Sequence, residues 1–473
     1  MDLLRVSRVP YMARKNYVVE VQHLLLWGLF AGLIEGTVSA VVVSKTFGGS
    51  NLLITVVQAT PAFANLVSLL WGAMSVGRRK MPLFMAMAAA CIAAALTIAF
   101  TPDDPAGGWI FAAQICLARV FMSGVVTIRA SLWKHNYPRS HRARVTAGLQ
   151  IVRTAVSLPL ILGCGALFDW DRLAYQWFYP AISILGALGL LLFRRARVRG
   201  ERAGLQAGAA DGDSPIAEPG LVAPFSLVSL IAPWTIVRRM RDVLRQDTRF
   251  ARYCMAQFFI GMANLMTMPV NTIIVTKVLA LSYFYSNGVL DVIPRLITLA
   301  ALPLWARWYD RVGVLPFRVV NSVCWGASIA VCGLGAILAA HRHSAGDAWY
   351  AAAVVGFAVG HLFYGLGQSG GLLAWNIGHL HFAEDDKAEL YMGIHVSLTG
   401  SRGLLAPFLG VFLYEWLNWG VYPIAVGLCL VGWLLFARLA REERIVNGGG
   451  AAVCREGASI TGQAARSAES ARR

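Results

Sequence analysis

The chain states nearly the same pattern twice. Val41-Val42-Val43-Ser44-Lys45 is answered by Ile273-Ile274-Val275-Thr276-Lys277, a shift of 277 − 45 = 232 residues. The echo continues in order: Pro61 and Trp71 align with Pro294 and Trp305, and Trp133 with Trp375. Leu158-Pro159 through Asp169-Trp170 then aligns with Ala406-Pro407 through Glu415-Trp416, and each copy closes on Tyr-Pro, at Tyr179-Pro180 and Tyr422-Pro423. An ordered series of matches is hard to obtain by accident. Two strongly apolar halves of this kind point to a pseudo-symmetric membrane transporter.

Composition supports the membrane reading. Hydrophobic residues are 57% of the chain and charged residues only 14%, against about a quarter charged in soluble proteins. Apolar stretches of about 20 residues, each able to cross a hydrocarbon core, are expected near 18–44, 52–76, 81–101, 108–131, 145–168 and 173–194. A second six fall near 251–276, 285–307, 316–340, 347–375, 389–414 and 418–440. The expected fold is therefore an all-α integral membrane protein with 12 transmembrane helices in two pseudo-symmetric six-helix bundles, residues 1–194 and 251–440. Residues 195–250 form a linker ending in a basic amphipathic helix that lies on the membrane surface. A polar, disordered tail occupies 441–473.

Charge placement gives an orientation. Arg5, Arg8, Arg14 and Lys15 precede the first helix, and Arg78, Arg79 and Lys80 follow the second. Arg129, Lys134, Arg139, Arg142 and Arg144 follow the fourth, and Arg194, Arg195, Arg197 and Arg199 follow the sixth. Alternate loops carry Asp103 and Asp104, or Asp169 and Asp171 with only Arg172. This positive-inside pattern predicts a bacterial inner (plasma) membrane protein with both termini cytoplasmic. It also accounts for the net charge of +17 without nucleic acid as a partner. The first helix is too long for a cleaved signal peptide and carries Glu35. The scattered cysteines support neither a disulfide nor zinc.

The loop after the second helix, Gly72-Ala-Met-Ser-Val76-Gly77-Arg78-Arg79-Lys80, and its counterpart Trp305-Ala-Arg-Trp-Tyr-Asp310-Arg311-Val-Gly313 resemble the Gly-x-x-x-Asp-Arg-x-Gly-Arg-Arg loop of the major facilitator superfamily. The second copy keeps Asp-Arg-x-Gly, whereas Val76 stands where the first lacks its acid. Such a loop clamps helix ends through carboxylate–guanidinium pairs. The stretch Phe250-Ala-Arg252-Tyr253 through Gly261-Met-Ala-Asn264 is similar to bacterial members with no settled substrate. In this superfamily the first, fourth, seventh and tenth helices line the central cavity. The resemblance thus places Glu35, Arg119, Asn264, Asn271, His361 and Gln368 near a pathway.

A charge inside a membrane is expensive enough to be a functional hypothesis by default. Two carboxylates lie well inside the expected spans, Glu35 and Asp291; the buried basic set is Arg119, Arg153, Arg295 and Arg402, with His361 and His395 as titratable additions. Glu35 and Arg119 fall at similar depth and are able to pair. Asp291 and Arg295, four apart on one helix face, are expected to pair with each other. Arg153 and Arg402 sit at comparable places in the two halves, where they suit an anionic cargo or else bind backbone carbonyls. No Gly-x-x-x-x-Gly-Lys loop exists to bind a nucleotide. The cluster of His379, His381, Glu384, Asp385 and Asp386 lacks metal-ligand spacing. The expectation is a monomeric secondary transporter of a small solute, not an enzyme, without cofactor, with protons as the candidate coupling ion. Efflux of amphipathic compounds and a non-transporting sensor or scaffold are the alternatives.

Overall fold

The computed structural model describes residues 6, 9–75, 78–199, 233–341, 347–383 and 388–470. Among these residues every regular element is a helix. Eleven stretches of the described residues are long and apolar enough to cross a membrane. The last of them, Tyr391–Ile445, holds two helices, Ala388–Leu417 and Val421–Ser470. Twelve spans result, as the repeat implies. Spans 1–6 are Arg14–Glu35 continued by Val38–Lys45, Asn51–Ser75, Lys80–Leu96, Pro105–Asn136, Arg139–Trp170 and Tyr175–Phe193. Span 7 is Thr248–Ile273 with a π turn, Ile274–Val278, and span 8 is Tyr283–Asn287, a π turn Gly288–Val292, and Ile293–Val312. Spans 9–12 are Val314–Ala340, Asp347–Ile377, Ala388–Leu417 and Val421–Ser470.

The internal repeat is visible in the packing. Span 1 packs on spans 5 and 6, span 4 on spans 2 and 3, and span 3 on span 6; the same pairs recur six spans later, as 7 on 11 and 12, 10 on 8 and 9, and 9 on 12. The halves meet chiefly along span 2 against span 11 and span 5 against span 8. That seam is close because it is lined by small residues: a Cβ added at Gly400 would meet Leu66, and one at Gly403 would meet Ala62. Large apolar side chains such as Leu117, Leu188, Leu304 and Leu430 point outward and stay exposed, as a lipid-facing surface requires.

Several boundaries differ from the sequence expectation. The first helix is broken at Gly36-Thr37, where a continuous helix over 18–44 was expected. Span 4 runs to Asn136, so Arg129 is buried within it rather than lying in a loop. The twelfth helix continues to Ser470, through residues expected to be a disordered tail. The expected amphipathic helix is present at Pro233–Gln246, with Arg238, Arg241 and Arg245 exposed and Met240, Val243 and Leu244 packed on the core. The linker stretch 200–232 lies outside the described residues.

Candidate functional site

The break in span 1 organises the middle of the molecule. A helix interrupted at depth leaves carbonyls without intrahelical donors, and each needs a partner. Arg119 of span 4 supplies one. Its Nε donates to Ile34 O at 2.7 Å and its Nη2 to Gly36 O at 2.8 Å, while Nη1 donates to Val57 O on span 2. Arg119 therefore does not pair with Glu35. Two of its donors are spent on backbone that the break has freed and the third on Val57 O, whose helical donor is missing at Pro61, which a sequence with an expected continuous helix could not reveal.

Glu35 instead forms an ion pair with Arg153 of span 5. Across the boundary between halves, Asp291 sits in the π turn of span 8 and receives Arg295 Nε at 2.6 Å and Nη2 at 3.3 Å. The pairing of Asp291 with Arg295 is as expected. The two pairs are linked. Thr37 N donates to Asp291 Oδ2 at 3.3 Å, and Arg153 and Arg295 lie close enough for their charges to act on one another. Gly36 makes this approach possible, because a Cβ there would overlap Asp291 Oδ2 and crowd Arg295. Glu35 lies ten residues before Lys45 and Asp291 eight after Tyr283, about 15 and 12 Å of helix. The four charges thus meet at mid-depth, where the halves touch.

From this level to the end remote from the chain termini, the repeat becomes a seal. The equivalent residues Ser44 and Thr276 hydrogen-bond to each other at 2.6 Å. Lys277 Nζ donates to Gly49 O at 2.7 Å and Asn51 Oδ1 at 3.1 Å, while its counterpart Lys45 lies over the Tyr283 ring at 5.2 Å. Asp169 accepts from Tyr283 N at 2.7 Å and Phe284 N at 2.9 Å, capping span 8 from the other half. Its repeat partner Glu415 accepts from Asn51 Nδ2 at 3.2 Å, at the start of span 2. Thr46 with Tyr283 (2.8 Å) and Gln58 with Thr272 (2.7 Å) complete the set. Every hydrogen bond joining the halves between described residues lies at mid-depth or at this distal end. At the opposite end Asp310 and Arg311 are exposed and unpaired among the described residues, as are Arg78 and Arg79, and Gly72 is half-buried. Gly313 has φ of +76°, which explains the glycine of that loop, since a side chain is strained there.

The expected residues of the second half do not gather at one place. Asn271 accepts from Tyr422 O–H at 2.6 Å inside the bundle, and His361 Nδ1 donates to Phe357 O at 2.8 Å on its own helix. Both are accounted for by packing. Asn264 and Gln368 are half-buried. His395 is buried and its Nε2 has no partner among the described residues. Arg402 donates to Gln257 O at 2.5 Å and Thr399 Oγ1 at 3.1 Å, whereas Arg153 donates to Glu35, so the two arginines have different partners. Outside the spans, His381 Nε2 meets Glu443 Oε1 at 2.8 Å, and burial holds the His379 imidazole down at about 4, neutral at ordinary pH. No metal-binding group exists among the described residues; Glu384, Asp385 and Asp386 lie outside them.

Sequence reasoning missed two buried groups. Glu20, 2% exposed, accepts from Trp133 Nε1 at 2.9 Å, and beside it Arg129 Nη2 donates to His23 Nε2 at 2.9 Å. Arg318, 2% exposed, donates to Asn321 Oδ1 at 2.8 Å and to Gln257 Oε1. Each stands near the first or last turns of a span, where a charge reads as a loop anchor. Only the paired aromatics around them, Trp133 and Phe84 or Phe436, hinted at burial.

A sequence profile of the Major Facilitator Superfamily matches residues 24–364. No curated protein matches the chain by sequence. Among solved structures, the chain is similar to the xylose transporter XylE from E. coli in an inward-open conformation (TM-score 0.60, 13% identity, 90% of this chain and 96% of that one). It is similar also to a POT family transporter in complex with 5-aminolevulinic acid (TM-score 0.63, 13% identity, 92% and 98%). The nucleoside transporter NupG is a third (TM-score 0.60, 11% identity, 90% and 99%).

Proposed function

This chain belongs to the Major Facilitator Superfamily, and from that premise we propose that it is a secondary transporter moving a small solute by alternating access. One observation carries the reading: two ion pairs, Glu35–Arg153 and Asp291–Arg295, face each other across the two halves at a helix break. In alternating access the halves rock about a mid-depth site. While the distal end is sealed, charges at that level are shut off from the water on that side. A proton on Glu35 releases Arg153, and the freed guanidinium is then available to an anionic or carboxylate-bearing cargo. Glu35 is the proposed proton-coupling residue and Arg153 the proposed substrate contact.

The charge pattern supports a bacterial inner membrane with both termini cytoplasmic. With that orientation the sealed distal end is periplasmic, and the described state faces inward. The similar structures are a xylose transporter, a nucleoside transporter and a POT family transporter in complex with 5-aminolevulinic acid, which supports a small polar cargo. The test is reconstitution into liposomes with an imposed pH gradient and a panel of small sugars, nucleosides and carboxylates. Wild type should accumulate one class against its gradient. Glu35→Gln should keep exchange but lose accumulation. Accumulation that survives in Glu35→Gln with its pH dependence intact removes the coupling role, and an inert protein across the panel favours a sensor or scaffold.

A further inference from the structure

Two guanidinium groups lie together inside the C-terminal bundle with no carboxylate on either among the described residues. Arg318 of span 9 is 2% exposed and Arg402 of span 11 is 9% exposed. Gln257 of span 7 joins them: its side-chain oxygen accepts from Arg318 Nη2, and its main-chain oxygen accepts from Arg402 Nη1 at 2.5 Å. The other partners are neutral too, namely Asn321 Oδ1 at 2.8 Å, Thr399 Oγ1 at 3.1 Å and the Phe436 ring, 4.9 Å from Arg318 Cζ. The two charges act on each other, and both act on His395.

Neutral acceptors satisfy hydrogen bonds but do not cancel charge, and two like charges in a low-dielectric interior repel strongly. A lysine or histidine in such a place sheds its proton. Arginine does not. Three polar atoms also remain without partners among the described residues: Nε of Arg318, Nε of Arg402 and Nε2 of His395. Gly261 supplies room at Arg402, since a Cβ there would overlap its guanidinium.

We propose that Arg318 and Arg402 form an anion-binding site inside the C-terminal bundle, taking a single monovalent anion, either an inorganic ion or a carboxylate group. The site lies apart from the charges at the break in span 1, and it stands whether or not those charges couple transport. Occupancy neutralises the pair and ties span 7 to spans 9 and 11, so the anion stabilises the folded bundle by mass action.

The experiment is thermal unfolding of the purified full-length protein in detergent. Chloride, and separately acetate, is exchanged against the bulky anion MES at constant ionic strength. The midpoint is expected to rise by several degrees and to saturate with at least one of them; chloride alone identifies an inorganic ion, acetate alone a carboxylate. Gln257→Glu is nearly isosteric and places a negative charge at the side-chain oxygen that Arg318 already bonds, on the residue whose main chain holds Arg402. It should raise the midpoint in MES and abolish the anion response, while Arg172→Gln, at an exposed arginine outside both groups of buried charges, should leave the response unchanged. Arg402→Gln and Arg318→Gln should each remove it. A wild type indifferent to both anions overturns the proposal, as does a response that persists undiminished in Gln257→Glu.

Discussion

The two halves share a scaffold but treat the same segment differently. Residues 35–45 and 267–277 are repeat equivalents, yet the first is cut at Gly36-Thr37 while the second stays helical and ends in a π turn. The cut frees carbonyls that Arg119 collects and turns Glu35 toward Arg153. In the second half Thr267 replaces the acid and bonds back to its own helix at Ala263 O, 3.3 Å away. Charge follows the same division. In the N-terminal half Arg153 is paired with a carboxylate and Arg119 stands on backbone carbonyls, whereas Arg318 and Arg402 lie together on one neutral residue, Gln257. Pseudo-symmetry therefore builds the frame, and departures from it place the chemistry.

The comparison is broken most severely by Arg119→Met, which leaves up to three buried carbonyls unpaired at about 1–3 kcal/mol each. A large drop in thermal midpoint and little folded protein are expected, with partial recovery in Arg119→Lys. If the variant is as stable as wild type, the capture of the broken helix is not what holds it. Next is Gly36→Ala, where the methyl collides with Asp291 and Arg295 and pushes the halves apart. Cross-linking between Ser44→Cys and Thr276→Cys, high in the otherwise unaltered chain, should fall several-fold. The matching change in the continuous segment, Met268→Ala, should leave that yield within twofold.

The seal offers a finer contrast between its two acids. Asp169→Ala removes both cap bonds to span 8 and should weaken the distal closure by about 1 kcal/mol, read as faster labelling of a cysteine at Thr276. Its repeat partner Glu415 is exposed and makes one long bond, so Glu415→Gln should change that rate by no more than about twofold. Equal effects would mean that the two sides of the latch carry equal load, against the asymmetry in their geometry.

Much of this architecture was legible in the chain itself. Twelve spans, two bundles and the charge-rich loop faces follow from apolar length and the repeat, because in a membrane each helix satisfies its own backbone and declares itself locally. The Asp291–Arg295 pair was legible for the same reason, being four residues apart on one helix. The break at Gly36 was not, since a lone glycine in an apolar run reads as helix unless something arrives to take the freed carbonyls. That something is Arg119, 85 positions from Ile34.

Sequence alone thus determined the twofold frame and the list of charges the membrane would have to tolerate. Only the tertiary structure decided who partners whom: Glu35 with Arg153, 118 positions away, and Arg318 with Arg402 through Gln257. Partnership at depth depends on which spans pack together and on where a helix unwinds, and both are settled by long-range contacts that no local pattern encodes.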